Sequence, residues 1–228
     1  FTLNQIQYSI DSNSGTSIAI PLDFEGPQPS AYGTEAAKSV PHELFGNSCD
    51  TRFGSNYNFH RISLSPHSNG THTECIGHIS KSRQFVSPTL SETLIPACLI
   101  SVTPIDPGCT KDSYDPPMEP PDKIISEEAL RSKLQLIDPN FYRAIVIRTL
   151  PNDESKKHRR YLDHPPIYFS LEAMSYVSSL NPNHLLIDLP SVDRPKDDGK
   201  ISCHHIFWNI ARGSTTTSES SNYNRTIT

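Results

Sequence analysis

Apolar residues alternate with polar ones at the start of the chain. Ile6, Tyr8 and Ile10, then Ile18 and Ile20, flank the turn-forming run Asp11-Ser-Asn-Ser-Gly15. A period of two on both sides of a turn predicts two half-buried strands and an N-terminal hairpin. Phe24-Glu-Gly-Pro-Gln-Pro-Ser-Ala-Tyr-Gly33 mixes residues that fix the backbone with residues that free it, which predicts an irregular but specified loop. Phe59, Ile62 and Leu64 predict a strand that runs into a cluster of histidines. The apolar stretch Leu94 to Val102 reads as a buried strand, whereas the six prolines between Thr103 and Asp122 suit neither a helix nor a central strand and predict a long covering loop. Ser126-Glu-Glu opens a helix, with Ala129, Leu130, Leu134 and Ile137 at helical spacing. Tyr142 to Leu150 reads as a strand, Ser170 caps a second helix to Leu180, and His184 to Leu189 reads as a further strand. Two strand-helix-strand steps favour an α/β fold. The tail from Ser214 to Asn224 has no apolar period and predicts a loop or frayed end.

Composition narrows this picture. A chain of 228 residues that is 35% hydrophobic can bury one sizeable core, so a single domain over residues 1–228 is expected. Twenty prolines against ten glycines imply stiff, extended connections. A formal charge of −5 supplies no broad basic field, which argues against nucleic acid and for a small-molecule partner. The charged segment Pro151 to His164, with Lys156, Lys157, Arg159 and Arg160, reads as a solvated surface loop. Cys49, Cys75, Cys98, Cys109 and Cys203 form no CxxC pair and are odd in number, which suits reduced thiols and a cytoplasmic location. No apolar stretch is long enough to span a bilayer, so no membrane partner is expected. The sequons at Asn69 and Asn224 read as chance.

The chemistry concentrates in His67-Ser-Asn-Gly-Thr-His-Thr-Glu-Cys-Ile-Gly-His78. Residues two apart on an extended chain share a face, so His72 and Glu74, with His78 further along, can converge on one point. Imidazole with carboxylate suits zinc or manganese, whereas calcium takes more oxygens. No Gly-x-Ser-x-Gly elbow and no phosphate-binding loop is present.

This run resembles the cyclase family, which includes bacterial kynurenine formamidases and is marked by His-x-Gly-Thr-His-x-Asp-x-Pro-x-His. Gly70-Thr71-His72, Glu74 and His78 keep its spacing. A second block, Ile187-Asp-Leu-Pro-Ser-Val-Asp193 followed by His204-His205, is similar to the family's Asp-Thr-Pro-Ser-x-Asp segment and its downstream histidine. The Phe24 to Gly33 loop and Asp50-Thr-Arg52 resemble a branch of the family with Asn-Gly-Thr-His-Thr-Glu. The resemblance implies a swivelling β/β/α-type fold, a mixed sheet with flanking helices. It implies that His72 and Glu74 bind metal, that Glu74 can bridge two ions, and that His78 is the acid/base residue. His204 matches the distal metal ligand better than His205, which stays the alternative. No organic cofactor is implied.

The departures are equally specific. The family's first histidine falls on Ser68, and His67 is one residue out of register, which on a strand turns it to the other face. Thr216 stands where a distal glutamate is expected, and Glu219 is the only carboxylate of the tail, so either the chain stops short of its C-terminal segment or the site is incomplete. The implied function is metal-dependent hydrolysis of a non-peptide C–N bond, with N-formylkynurenine, and so tryptophan catabolism, the most direct suggestion. Tyr32, Phe24 and Trp208 are candidates to line a pocket for a flat ring. The alternatives are a hydrolase or dehydratase of the same scaffold for another cyclic amide, lactone or acid, or a metal-poor binding protein. A dimer or larger homo-oligomer is also implied.

Overall fold

The computed structural model describes residues 2–11, 13–164 and 166–228. The chain forms two compact units, one from residues 1–17, 73–153 and 165–228, the other from residues 18–72 and 154–164.

The larger unit is mixed α/β. Its five-stranded sheet runs Glu74–Cys75, Thr226–Ile227, His184–Ile187, Ala144–Thr149, Ala97–Val102. The last four strands are parallel, and Glu74–Cys75 pairs antiparallel with Thr226–Ile227. Ile145 sits between Cys98 and Leu185 in register, and all three are buried. The central Ala144–Thr149 strand is an apolar run because both its faces are largely covered, whereas Ala97–Val102 alternates buried and exposed positions as an edge strand does. The helix Leu171–Ser179 packs against both Glu127–Leu134 and Ser202–Trp208.

Both helix starts follow from their serines. Ser126 Oγ accepts from the Ala129 amide at 3.3 Å, and Ser170 Oγ accepts from the Ala173 amide at 3.0 Å. Asp112 joins the two: its Oδ2 accepts from the Glu127 amide and from the Ser170 hydroxyl, each at 2.7 Å. The proline-rich stretch between Val102 and Ile124 is thus a covering loop with fixed anchors, its only helical piece among the described residues being the turn Pro107–Cys109. Ser170→Ala removes a fully buried cap and one hydrogen bond, and is expected to lower unfolding stability by about 1–2 kcal/mol in urea titration. An unchanged midpoint would show that neither bond of the Ser170 hydroxyl contributes to stability.

The smaller unit is built differently. Lys38–Pro41 pairs antiparallel with His60–Ser63, and Glu43–Leu44 with Asn47–Ser48 across a turn in which Phe45 and Gly46 have φ of 52° and 78°. Large apolar residues here are exposed, Phe45 by 93% and Phe53 by 70%, while Ala31, Ala37, Asp50, Ser68 and Asn69 are buried. Polar ties therefore replace an apolar core. The Gln28 side-chain amide bonds Ala37 through both its oxygen (2.9 Å) and its nitrogen (3.0 Å), which specifies the loop from Phe24 to Gly33. Asn69 is fully buried, donating to the Glu35 carbonyl and accepting from the Ser65 amide, so its sequon is closed to modification. The basic segment is a turn over Glu154–His158 in which Lys156 is buried, so it is more than the solvated loop expected from its charge.

The N-terminal hairpin is shorter than its apolar alternation suggests. Thr2–Leu3 pairs with Ile6–Gln7, because Asn4 and Gln5, with φ of 45° and 66°, already close the turn. Ile18 and Ile20 belong to no strand, and Ile18 is 69% exposed.

Candidate metal centre

The run from His67 to His78 is not one strand, and this changes which side chains meet. Pro66 presets the backbone of a single helical turn, Pro66–Asn69, so strand alternation does not govern His67. The His67 and His72 rings instead lie 4.6 Å apart in the smaller unit. His72 Nδ1 is 3.1 Å from the Gly70 carbonyl, a bond that makes Nδ1 the donor and leaves the lone pair on Nε2. Ser68, at the position of the family's first histidine, is buried, and its hydroxyl both accepts from the Ala31 amide at 3.1 Å and donates to the Ala31 carbonyl. That hydroxyl is committed to a backbone tie. Gly70 makes room for Leu22: a Cβ there would meet Leu22 Cδ2 at 3.1 Å.

The remaining residues of the predicted set meet in the larger unit. The sheet pairing of Glu74 with Ile227 fixes the Glu74 backbone, and the turn Ile76–His78 follows directly. Glu74 Oε1 is 3.0 Å from His204 Nε2, and Oε2 is 3.5 Å from His78 Nδ1. The two carboxylate oxygens thus face two different imidazoles, whose centroids are 5.3 Å apart. His204 lies on the helix Ser202–Trp208 and is 5% exposed. Its Nδ1 bonds Asp193 Oδ2, and the adjacent backbone contributes as well: the Cys203 amide donates to Asp193 Oδ1 at 2.7 Å and the His204 amide to Oδ2 at 3.1 Å. Burial disfavours the charged imidazolium, but bonds to Asp193 and Glu74 outweigh it and raise the His204 pKa to about 10. Hydrogen bonding and charge from His204 hold the Asp193 carboxyl below its ordinary value against the opposing effect of burial.

Three further residues support this arrangement, and the sequence pattern gave none of them a role. Asp193 closes a recognised block yet carries its role only through His204, eleven residues later, and no period links the two. Tyr114 lies in the proline-rich loop, where nothing predicts a buried phenol; its hydroxyl donates to Asp193 Oδ1 at 2.6 Å and accepts from the Arg194 amide at 3.0 Å. Burial and the neighbouring Asp193 push that phenol far up, so it stays a donor. Asp197 Oδ2 accepts from the Ile201 amide at 2.6 Å and holds Ile201 at φ 38°, a strained value for a β-branched residue, at the entry to the histidine helix. Trp208 is fully buried, 5.4 Å from the His204 ring and 6.4 Å from the His78 ring, with Nε1 donating to the Arg225 carbonyl. It backs the histidines and does not line an open pocket, contrary to the expectation from its aromatic character. His205 does not share the carboxylate: its Nδ1 is buried without a hydrogen-bond partner among the described residues, and burial lowers its pKa.

The donor set fits a divalent metal. An imidazole nitrogen with its other nitrogen fixed on a carboxylate is the usual orientation of a metal-binding histidine. Ligands held 2.0–2.2 Å from a tetrahedral ion sit about 3.4 Å from one another, close to the 3.0 Å between Glu74 Oε1 and His204 Nε2. All five cysteines are free thiols, four of them buried, and none joins this group. No helix among the described residues is long and apolar enough to cross a membrane.

Among solved structures, the chain is similar to an isatin hydrolase bound to the product analogue thioisatinate, at 12% identity and a TM-score of 0.41, over 84% of this chain and 67% of that one. It is also similar to isatin hydrolase A from Labrenzia aggregata bound to benzyl benzoate, at 13% identity and a TM-score of 0.46, over 91% and 76% of the two chains. No curated protein matches the sequence. Residues 9–194 match the family described as "Putative cyclase", which is most of the chain, and the protein belongs to that cyclase family.

Proposed function

We propose that this chain is a metal-dependent hydrolase that cleaves a non-peptide C–N bond, with N-formylkynurenine as the first substrate to test. The observation that carries this reading is the buried line Asp193–His204–Glu74, with His78 on the second oxygen of Glu74. Glu74 and His204 would hold the ion, zinc or manganese by their mixed oxygen and nitrogen donors. A divalent ion supplies Lewis acidity and brings the pKa of water from about 15.7 to about 7. Asp193 fixes the His204 ring through Nδ1, which keeps Nε2 turned to the site. His78, with a side chain 31% exposed, is the group that takes the proton from the attacking water and returns it to the leaving nitrogen. Trp208 keeps water from the inner side of both histidines. A cytoplasmic homo-oligomer completes this reading.

The test is titration of the metal-stripped protein with zinc and with manganese in the presence of N-formylkynurenine. Chelator-sensitive release of kynurenine and formate is the expected result, and a cyclic amide and a lactone run in parallel separate this substrate from others of the same scaffold. Turnover of none of them by metal-loaded protein would overturn the hydrolase. A second reading, a metal-poor binding protein, is favoured by Ser68, whose hydroxyl is tied to Ala31 and does not replace a histidine ligand. Tightly retained metal in elemental analysis would exclude it.

A further inference from the structure

The Asp50-Thr-Arg52 segment and the loop after Phe24 take no part in the metal chemistry, yet they border a second cluster of reactive groups within the smaller unit. Ser39 and Pro41 point to one face of the strand Lys38–Pro41, and His60 pairs with Pro41, so Ser39 and His60 are diagonal neighbours. The Ser39 hydroxyl is 3.0 Å from His60 Nδ1. On the other side of the ring, His60 Nε2 is 3.4 Å from Asp50 Oδ2. Asp50 is 1% exposed and caps the turn Thr51–Phe53, its Oδ1 accepting from the Arg52 amide at 2.7 Å. The Arg52 guanidinium grips both carboxylate oxygens, with Nη2 2.6 Å from Oδ2. Hydrogen bonding from Arg52 outweighs burial and holds the Asp50 carboxyl down to about 2, so an anion faces the imidazole at neutral pH. Ser39 and His60 lie on an open surface pocket of ≈ 330 Å³ also lined by Leu22, Asp23, Phe24 and Glu25.

A hydroxyl on an imidazole whose far nitrogen faces a buried carboxylate is the arrangement that activates serine as a nucleophile, and it is recognised by geometry and not by chain order. We propose that Ser39, His60 and Asp50 form a second, metal-independent site that hydrolyses small carboxylic esters. The class of ester follows from the walls: Leu22 and Phe24 suit a short apolar acyl group, while Asp23 and Glu25 disfavour an anionic one. Ser39 Oγ bonds to the ester carbonyl carbon as its proton passes to His60 Nδ1. The carbon–oxygen bond to the alcohol then breaks, and the alcohol leaves with that proton. Water, giving a proton to Nδ1, cleaves the acyl-serine, and the carboxylic acid departs as the proton returns to Ser39.

The whole chain is incubated with p-nitrophenyl acetate and, separately, with a fluorophosphonate probe, each with and without EDTA. The expected result is turnover and labelling that EDTA leaves unchanged, with the probe mapped to Ser39 by peptide mass spectrometry. Ser39→Ala removes one half-buried hydroxyl and should abolish both. His60→Gln should slow labelling of Ser39 about a hundred-fold or more. Labelling at another residue, no labelling at all, or a labelling rate indifferent to His60→Gln would overturn the proposal. Because the readout is independent of metal, its outcome is separate from that of the metal-dependent hydrolase.

Discussion

Glu74→Gln is expected to weaken divalent-metal affinity at least about a hundred-fold, and to take the chelator-sensitive hydrolysis down with it. Glutamine keeps the length and shape of glutamate, so the sheet pairing with Ile227 is preserved. What it loses is the charge and one acceptor. The carboxylate serves two imidazoles through two oxygens, His204 Nε2 at 3.0 Å and His78 Nδ1 at 3.5 Å. In the amide one of those positions becomes an NH2 group, which cannot ligate a cation and which presents a donor to a ring that already carries one. The substitution therefore strikes metal binding and the setting of His78 together. Calorimetric titration with zinc and manganese measures the first, and kcat at saturating metal measures the second. Affinity within a few-fold of the parent chain would remove Glu74 from the ligand set.

The fold was legible in the sequence where a local signal and a long-range demand agreed. Ser126 and Ser170 each precede a run of helical spacing, and both cap their helices as their side chains allow. The strands predicted at Leu94 to Val102 and Tyr142 to Leu150 occur as Ala97–Val102 and Ala144–Thr149: the central one is an apolar run largely covered on both faces, and the edge one buries only alternate positions. Thr226–Ile227 gave no such signal. Two residues are too few for a period, and what makes them a strand is the gap between Glu74–Cys75 and His184–Ile187, a tertiary fact. The division into two units was hidden for a related reason: the smaller unit is held by side-chain ties such as Gln28 to Ala37, which leave no hydrophobic pattern.

The candidate site was legible as residue types at family spacing, and less so as geometry. Pro66 turns the chain into a helical turn, so the strand alternation that would direct His67 to the other face does not apply, and its ring meets His72. Ser68 departs from the family pattern, and its burial against Ala31 gives that departure a structural role. Asp193 and His204 stand in one block similar to the family's, but the bond between them was not legible, since no period links the two and Tyr114 meets them only in the folded interior.

Asp193→Asn is expected to cost about 3–5 kcal/mol of unfolding stability and, in the folded fraction, about ten- to a hundred-fold in metal affinity. The reason lies in the four donors that Asp193 receives. Oδ1 accepts from the Tyr114 hydroxyl and the Cys203 amide, and Oδ2 from the His204 amide and ring Nδ1. Whichever oxygen becomes NH2 in asparagine, it faces a backbone N–H that cannot turn away, so a donor meets a donor in a site 2% exposed. Flipping the amide moves the conflict from one amide of the helix start to the other and does not remove it. The Tyr114 hydroxyl can rotate and the His204 ring can change tautomer, but a tautomer with its proton on Nε2 has no lone pair for a metal there. Tyr114→Phe separates the two effects: it leaves the carboxylate and its bond to His204 in place and orphans only the Arg194 amide, so stability should fall by about 1–3 kcal/mol while affinity changes far less. Urea titration and metal calorimetry on both variants decide the matter. If Asp193→Asn matches the parent chain in midpoint and affinity, Asp193 does not position His204; if Tyr114→Phe loses as much affinity as Asp193→Asn, the phenol does more than fill the fourth bond.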